Sequence, residues 1–208
     1  MNNLIIVENP LIKRDITILR DKNTPYELFR IALNRIGYSI AIELSKSLKL
    51  TQFTVTTPLE ETNGYRLKDS IILIPVLRAG LAMVQSFIEL IPDASVGHIG
   101  LQRNETTLQP VEYYFKTPSH LPESKVIIID PMLATGGSAS YAIRYLKQKG
   151  AANVSLACLI AAPFGVNKIT SEHPDVQIYT AALDRELNSS GYILPGLGDA
   201  GDRTFGTF

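Results

Sequence analysis

Val126-Ile127-Ile128-Ile129-Asp130-Pro131-Met132-Leu133-Ala134-Thr135-Gly136-Gly137-Ser138 is the stretch that decides the fold. A continuous apolar run ends in a carboxylate, a short loop follows, and Thr-Gly-Gly-Ser opens a helical pattern reaching about Lys149 and stopping at Gly150. A strand that is apolar on both faces and then feeds a helix belongs to a parallel sheet covered on both sides. The helix start offers unpaired N–H groups and a partial positive charge, which suits a phosphate. Gly136 and Gly137 let an anion approach the backbone, Thr135 can donate a hydroxyl, and Ser138 can cap the helix. Asp130, at the strand end, can accept hydrogen bonds from sugar hydroxyls. An ordinary strand-to-helix turn with a serine cap reads the same residues without a ligand. The loop is not a Walker A loop, since GxxxxGK[ST] is absent.

The same rhythm extends outward. Ile71–Ile74 is a second apolar run, followed by a helical pattern from about Ala79 to Ile91 and a weaker strand from Ser95 to Leu101. Val154–Ala162 is a third run, a short helix is expected near Val166–Ser171, and Val176–Thr180 is a fourth strand. Ligands in such sheets bind beyond the carboxyl ends of the strands, so the loops after residues 76, 101 and 130 are the places to look. Arg78 follows one buried strand, where a guanidinium can clamp diphosphate oxygens or form a surface salt bridge. Arg103 lies in a polar stretch from Gln102 to Ser119, long enough to be either disordered or a functional loop.

Upstream, Thr24-Pro25-Tyr26-Glu27 has the form of a capping box with proline at the first helical position. Leu28, Ala32, Ile36, Ile40, Leu44 and Leu48 then recur every fourth residue, widened by Phe29 and Leu33, giving an amphipathic helix of about six turns. Thr54–Thr57 is β-prone, Pro58 limits it, and Asn63-Gly64 reads as a turn before Tyr65-Arg66-Leu67, so a β-arm or hairpin is expected over residues 52–67. The last 18 residues hold five of the 14 glycines and lose all periodicity, which reads as an ordered irregular segment. Gly196-Leu197-Gly198-Asp199-Ala200-Gly201 fits GxGxxG in form, but too little chain follows for a βαβ unit.

Composition bounds the function. The chain has 208 residues, 45% hydrophobic and 19% charged, enough for one large domain with a core. Twenty Lys+Arg balance twenty Asp+Glu, without the basic excess expected of a protein living on nucleic-acid phosphates. The single cysteine, Cys158, excludes an internal disulfide framework and a multi-cysteine zinc site, and its apolar strand makes it a core residue. His98, His120 and His173 lack metal-type spacing and read as structural or exposed. Neither a membrane span nor a signal peptide is expected, and the chain reads as cytoplasmic.

Ile-Ile-Ile-Asp-Pro-Met-Leu-Ala-Thr-Gly-Gly-Ser closely resembles the phosphoribosyl-diphosphate-binding motif of the uracil phosphoribosyltransferases. Pro75–Leu81 resembles that family's pyrophosphate loop, Arg103–Val111 its mobile flap, and Gly191–Arg203 with Phe205-Gly206-Thr207 its uracil-binding hood. The similarity runs across residues 68–208, and more loosely through Asn9-Pro10-Leu11 and Leu19–Thr24. It implies a type I phosphoribosyltransferase α/β fold: an N-terminal helix and arm (1–67), a parallel-sheet core (68–182) and a base-binding hood (183–208). The resemblance implies uracil phosphoribosyltransferase activity, with phosphoribosyl diphosphate held by Arg78, Arg103, Asp130, Pro131, Met132, Leu133, Ala134, Thr135, Gly136, Gly137, Ser138 and Asp199. Uracil would meet main-chain groups of Ile193, Gly198 and Ala200, with Asp199 as the catalytic acid nearest the reaction centre. It further implies Mg2+ carried mainly by the donor's oxygens with no direct protein ligand, a homodimer or larger homo-oligomer, and a GTP effector as one form of regulation. An RNA-binding pyrimidine regulator on the same fold, or a phosphoribosyltransferase for another base, are the alternatives.

Overall fold

The computed structural model describes residues 3–103 and 110–207, with only the backbone of Arg103 and Pro110. In chain order the elements are β1 (Leu4–Ile6), α1 (Pro10–Arg20), α2 (Tyr26–Ser45), β2 (Leu50–Thr56), β3 (Glu61–Leu67), β4 (Ile71–Leu77), α3 (Leu81–Leu90), β5 (Ser95–Val96), β6 (His98–Arg103) and β7 (Pro110–Lys116). A 3-10 turn at Leu121–Glu123 leads into β8 (Lys125–Ile129), β9 (Met132–Leu133), α4 (Gly137–Gln148), β10 (Asn153–Ala161), α5 (Pro163–Glu172), β11 (Gln177–Leu183), β12 (Glu186–Leu187), β13 (Ile193–Leu194) and α6 (Ala200–Phe205).

The main sheet runs β1-β11-β10-β8-β4-β6-β7, with β5 beside β4 and β9 beside β10. Every pairing in it is parallel except β6 with β7. The parallel core follows from β4, β8 and β10, whose apolar runs are buried on both faces. One face is covered by α1, α2 and α3 through Leu19, Phe29, Leu33, Ile36, Met83 and Phe87. The other is covered by α4 and α5 through Ala142, Ile143, Leu146, Val166 and Ile169. No helix among the described residues is long and apolar enough to cross a membrane.

The N-terminal expectations need correction. The capping box does not form: Pro25 is the N-cap of α2, and the Thr24 hydroxyl instead donates to the Ile18 carbonyl at 2.7 Å. The last turn of α1 leaves carbonyls without helical partners, and Thr24 is drawn to one of them. The buried stripe of α2 runs Phe29, Ala32, Leu33, Ile36, Ile40, Ala41, Leu44, while Leu28 is 38% exposed and Leu48 lies past the helix end. The helix α1 carries its own unread signal, an Asn9 side chain accepting from Ile12 N at 2.9 Å with proline at the first helical position.

The arm is present as the antiparallel hairpin β2–β3, but its turn lies at Thr57–Glu60, not at Asn63-Gly64. Gly64 sits inside β3 opposite Phe53, whose ring would come within 3.1 Å of a Cβ there, so the glycine clears space for an aromatic ring. The strand expected over Ser95–Leu101 divides at Gly97 into β5 and β6. The stretch read as one long loop, Gln102–Ser119, contains β7, antiparallel to β6. The flap expectation for Asn104–Gln109 lies outside the described residues. At the C-terminus the aperiodic tail holds the β12–β13 ladder and α6.

Candidate active site

Two strand ends build the site. At the end of β8, Asp130 enters a loop that passes through β9 and reaches α4. The N-cap of α4 is Gly136 at φ 75°, a left-handed conformation that glycine adopts without a Cβ penalty. Ser138 is therefore in the first turn and not the cap, and the Thr135 hydroxyl accepts weakly from Gly137 N at 3.4 Å. The residues of this helix start, Thr135 to Ser138, line a cavity of about 330 Å³ together with Asp130 and Asp199. At the end of β4, Arg78 precedes a turn in which Gly80 packs against β8: a Cβ there would lie 2.4 Å from Ile129 O. The Leu77–Arg78 peptide is cis, as is Leu194–Pro195.

The hood closes the site from the C-terminal side. Asp199, which lines this cavity, caps α6 by accepting from Asp202 N at 2.9 Å. An adjoining cavity of about 300 Å³ is lined by Ala79, Asp130, Met132, Ile193, Gly198 and Ala200. Residues expected to meet the donor and residues expected to meet the base therefore face one space, joined by Asp130 and Asp199. A third cavity of about 500 Å³ lies on the other side of Gly198 and Asp199, toward Lys22 and Tyr26.

Not every expected residue faces this space. Pro131 is buried, and its carbonyl accepts from Leu159 N at 2.9 Å, tying the loop to β10. Arg78 is exposed and ion-paired with Asp202 at 3.3 Å, while its neighbour Ala79 lines the cavity. Arg103 ends β6, with its side chain outside the described residues. Burial pushes the Asp130 carboxyl up to about 7, against a backbone hydrogen bond from Met132 that pulls it down. Burial likewise pushes the Cys158 thiol up to about 12, as befits a core side chain. Among the described residues, no group of three or more His, Cys, Asp or Glu could hold a metal ion. His173 is buried, 3.0 Å from the Ser140 hydroxyl between α4 and α5.

Three residues that hold the hood were given no role by sequence reasoning. Asp184, buried, takes a fork from Arg20, with Nη2 at 2.5 Å and Nη1 at 3.2 Å, and also accepts from Gly196 N at 2.8 Å. Arg203 donates to the carbonyls of Leu19, Leu197 and Asp21, and its guanidinium lies 4.5 Å from the Phe29 ring centroid. The end of α1 thus clamps the hood. The signal available was Leu19–Thr24, one of two N-terminal segments that resemble the family.

This arrangement, a parallel sheet with an acidic strand end feeding a glycine-rich helix start beneath a C-terminal hood, defines a phosphoribosyltransferase fold. A purine phosphoribosyltransferase from Pyrococcus horikoshii superposes with a TM-score of 0.51 over 74% of this chain and 87% of that one, at 20% identity. The chain belongs to the uracil phosphoribosyltransferase family, whose model matches residues 6–207. The Bacillus cytotoxicus uracil phosphoribosyltransferase is 50% identical over the full length of both chains. A solved protein of Aquifex aeolicus superposes with a TM-score of 0.92, covering 98% of each chain at 35% identity.

Proposed function

We propose that the chain transfers the 5-phosphoribosyl group from phosphoribosyl diphosphate to uracil, giving UMP and diphosphate. The observation that carries this is the shared cavity space between the Asp130 loop and the hood backbone at Ile193, Gly198 and Ala200. The bond from the anomeric carbon to diphosphate breaks, a bond to the base nitrogen forms, and the base loses its proton. Bond breaking leads toward an oxocarbenium-like transition state, so the main demand is to stabilise departing diphosphate and hold the base in line. Arg78 and Arg103 are assigned to the diphosphate, the N–H groups at Thr135–Ser138 to the donor's 5-phosphate, and Asp130 to the ribose hydroxyls. Asp199, between both cavities, is assigned to the reaction centre, where its carboxylate can take up positive charge or the base proton.

The donor set fits Mg2+, a cation that prefers oxygen ligands and keeps several waters while bridging substrate phosphates. Asp130 and Asp199 both line the phosphate cavity and could hold such waters. When bound, the ion shares the charge of the leaving diphosphate. Main-chain groups in the hood fit uracil's two carbonyls and N–H. Cytosine would present a donor where uracil presents an acceptor and leave a buried group unpaired. The exposed apolar side chains of the β2–β3 arm, Leu50, Phe53 and Tyr65, support assembly as a homodimer or larger oligomer. A cytoplasmic location and a GTP response belong to the same reading.

The test is diphosphate release from phosphoribosyl diphosphate and Mg2+ across uracil, cytosine, hypoxanthine, adenine and orotate, with and without GTP. Release with uracil alone is expected. Release with another base moves the specificity, and no release with any base overturns the reaction.

A further inference from the structure

We propose that Gly165, on α5 and outside the cavity, is a positioning residue for the loop that receives the donor's 5-phosphate; this rests on the phosphoribosyl-transfer reading above. A Cβ on Gly165 would lie 2.5 Å from Ala134 O and 2.8 Å from Leu133 O, both backbone atoms that a flexible side chain cannot vacate. The contact is reciprocal, since a Cβ on Gly136 would meet Gly165 O at 3.1 Å and Gly165 Cα at 3.2 Å. Two glycines therefore let the first turn of α5 lie directly on the loop backbone. Ala162 N, the N-cap residue of α5, donates to Leu133 O at 2.9 Å and fixes the same carbonyl. At the far end of α5, Glu172 accepts from the Ser140 hydroxyl on α4, so the helix is held at both ends.

The consequence for the site follows from peptide geometry. In a planar trans peptide the carbonyl of one residue and the N–H of the next point in opposite directions. With the Leu133 and Ala134 carbonyls turned toward α5, the N–H groups of Ala134 and Thr135 turn away from that helix, and both residues line the phosphate cavity. The contact surface of α5 thus sets the aim of two anion donors. Glycine is a poor helix former compared with alanine, so helix stability alone does not account for it at the third position of α5. Close approach of the loop does.

The test is Gly165→Ala. Alanine favours the helix but forces the two carbonyls to move, and small displacements of positioning groups cost affinity steeply. The dissociation constant of ribose 5-phosphate and the KM for phosphoribosyl diphosphate are expected to rise about tenfold or more with the KM for uracil held, while the overpacking lowers the melting temperature by about 2–10 °C. Unchanged ribose 5-phosphate affinity in the folded variant overturns the proposal. So does an equal rise in both KM values, the pattern that Ile169→Ala, a cavity variant on the same helix, is expected to give. The wild-type protein supplies a reading independent of any variant: on titration with ribose 5-phosphate, the amide resonances of Ala134 and Thr135 should shift most. If the ligand binds and those amides stay still, the proposal falls. Ribose 5-phosphate binding with these shifts, but no diphosphate release with any base, sinks the reaction reading and leaves the role of Gly165 standing.

Discussion

Arg78 Nη2 lies 3.3 Å from Asp202 Oδ1, joining the end of β4 to the first turn of α6 across 124 residues of sequence. The same Asp202 oxygen accepts from the Thr207 hydroxyl at 2.7 Å, and the Asp202 amide is held by Asp199 at 2.9 Å. The guanidinium assigned to diphosphate is therefore parked on the element assigned to the base. Both side chains are partly exposed, so the pair contributes no more than about 1 kcal/mol, little enough for a polyanion to displace.

Two variants follow from this contact. Arg78→Ala is expected to raise the KM for phosphoribosyl diphosphate about tenfold or more with a smaller loss of kcat, because a charge-assisted fork is removed. Asp202→Asn keeps the Thr207 bond but frees Arg78, and is expected to lower that KM by no more than about fivefold. Steady-state kinetics in the donor decide both, and an unchanged KM in Arg78→Ala removes Arg78 from the donor site.

Asp199→Asn separates charge from structure at the hood. Asparagine caps a helix about as well as aspartate, so the fold and the α6 cap should persist. Turnover is expected to fall more than about tenfold, since the carboxylate is lost where charge develops. Circular dichroism with kcat measured on the same sample is the check; near wild-type turnover would take Asp199 off the catalytic list.

Asp130 should leave a signature in pH. Its folded carboxyl is raised to about 7, so folded protein holds the proton more tightly than unfolded chain. The associated stability is fully present below the unfolded value, near 4, and is lost as pH rises through about 7. Asp130→Asn is therefore expected to melt close to wild type at pH 4 and about 5 °C higher at pH 8. The ionised carboxylate is also the better acceptor for ribose hydroxyls, so wild-type KM for the donor should fall between pH 6 and 8 in a way the variant does not reproduce. Calorimetry and donor titrations across that range test the two together.

The clamp on the hood predicts a third kind of effect. Asp184→Ala would leave Arg20 and the Gly196 amide without their buried partner, at a cost of about 3 kcal/mol. The KM for uracil is expected to rise more than that for the donor, because Gly196 belongs to the hood. Thermal unfolding and a two-substrate kinetic matrix measure it, and equal changes in both KM values would place the clamp's role in global stability instead.

How much of this was legible in the sequence depends on what kind of signal each element carries. Val126–Ile129 and Ile71–Ile74 announce buried parallel strands because a strand covered on both faces must be apolar throughout. Asp130 and the Thr135–Ser138 helix start were legible for the same local reason. Thr24 was misread, since the same hydroxyl can cap its own helix or serve the carbonyl end of another, and only the approach of Ile18 decides. Gly64 was misread as a turn because the Phe53 ring that it accommodates lies across the hairpin.

The sequence by itself determined the alternation of strands and helices, the family, and which residues stand at the strand ends, all of which rest on periodicity and contiguous motifs. The tertiary structure alone decided that Arg20 and Asp184 clamp the hood, that Arg78 rests on Asp202, and that Gly165 packs on the Leu133–Ala134 backbone. Each of those joins residues on different elements, two of them more than 100 positions apart. A pairwise contact between separate elements leaves no period in the chain, and it exists only once the sheet has brought them together.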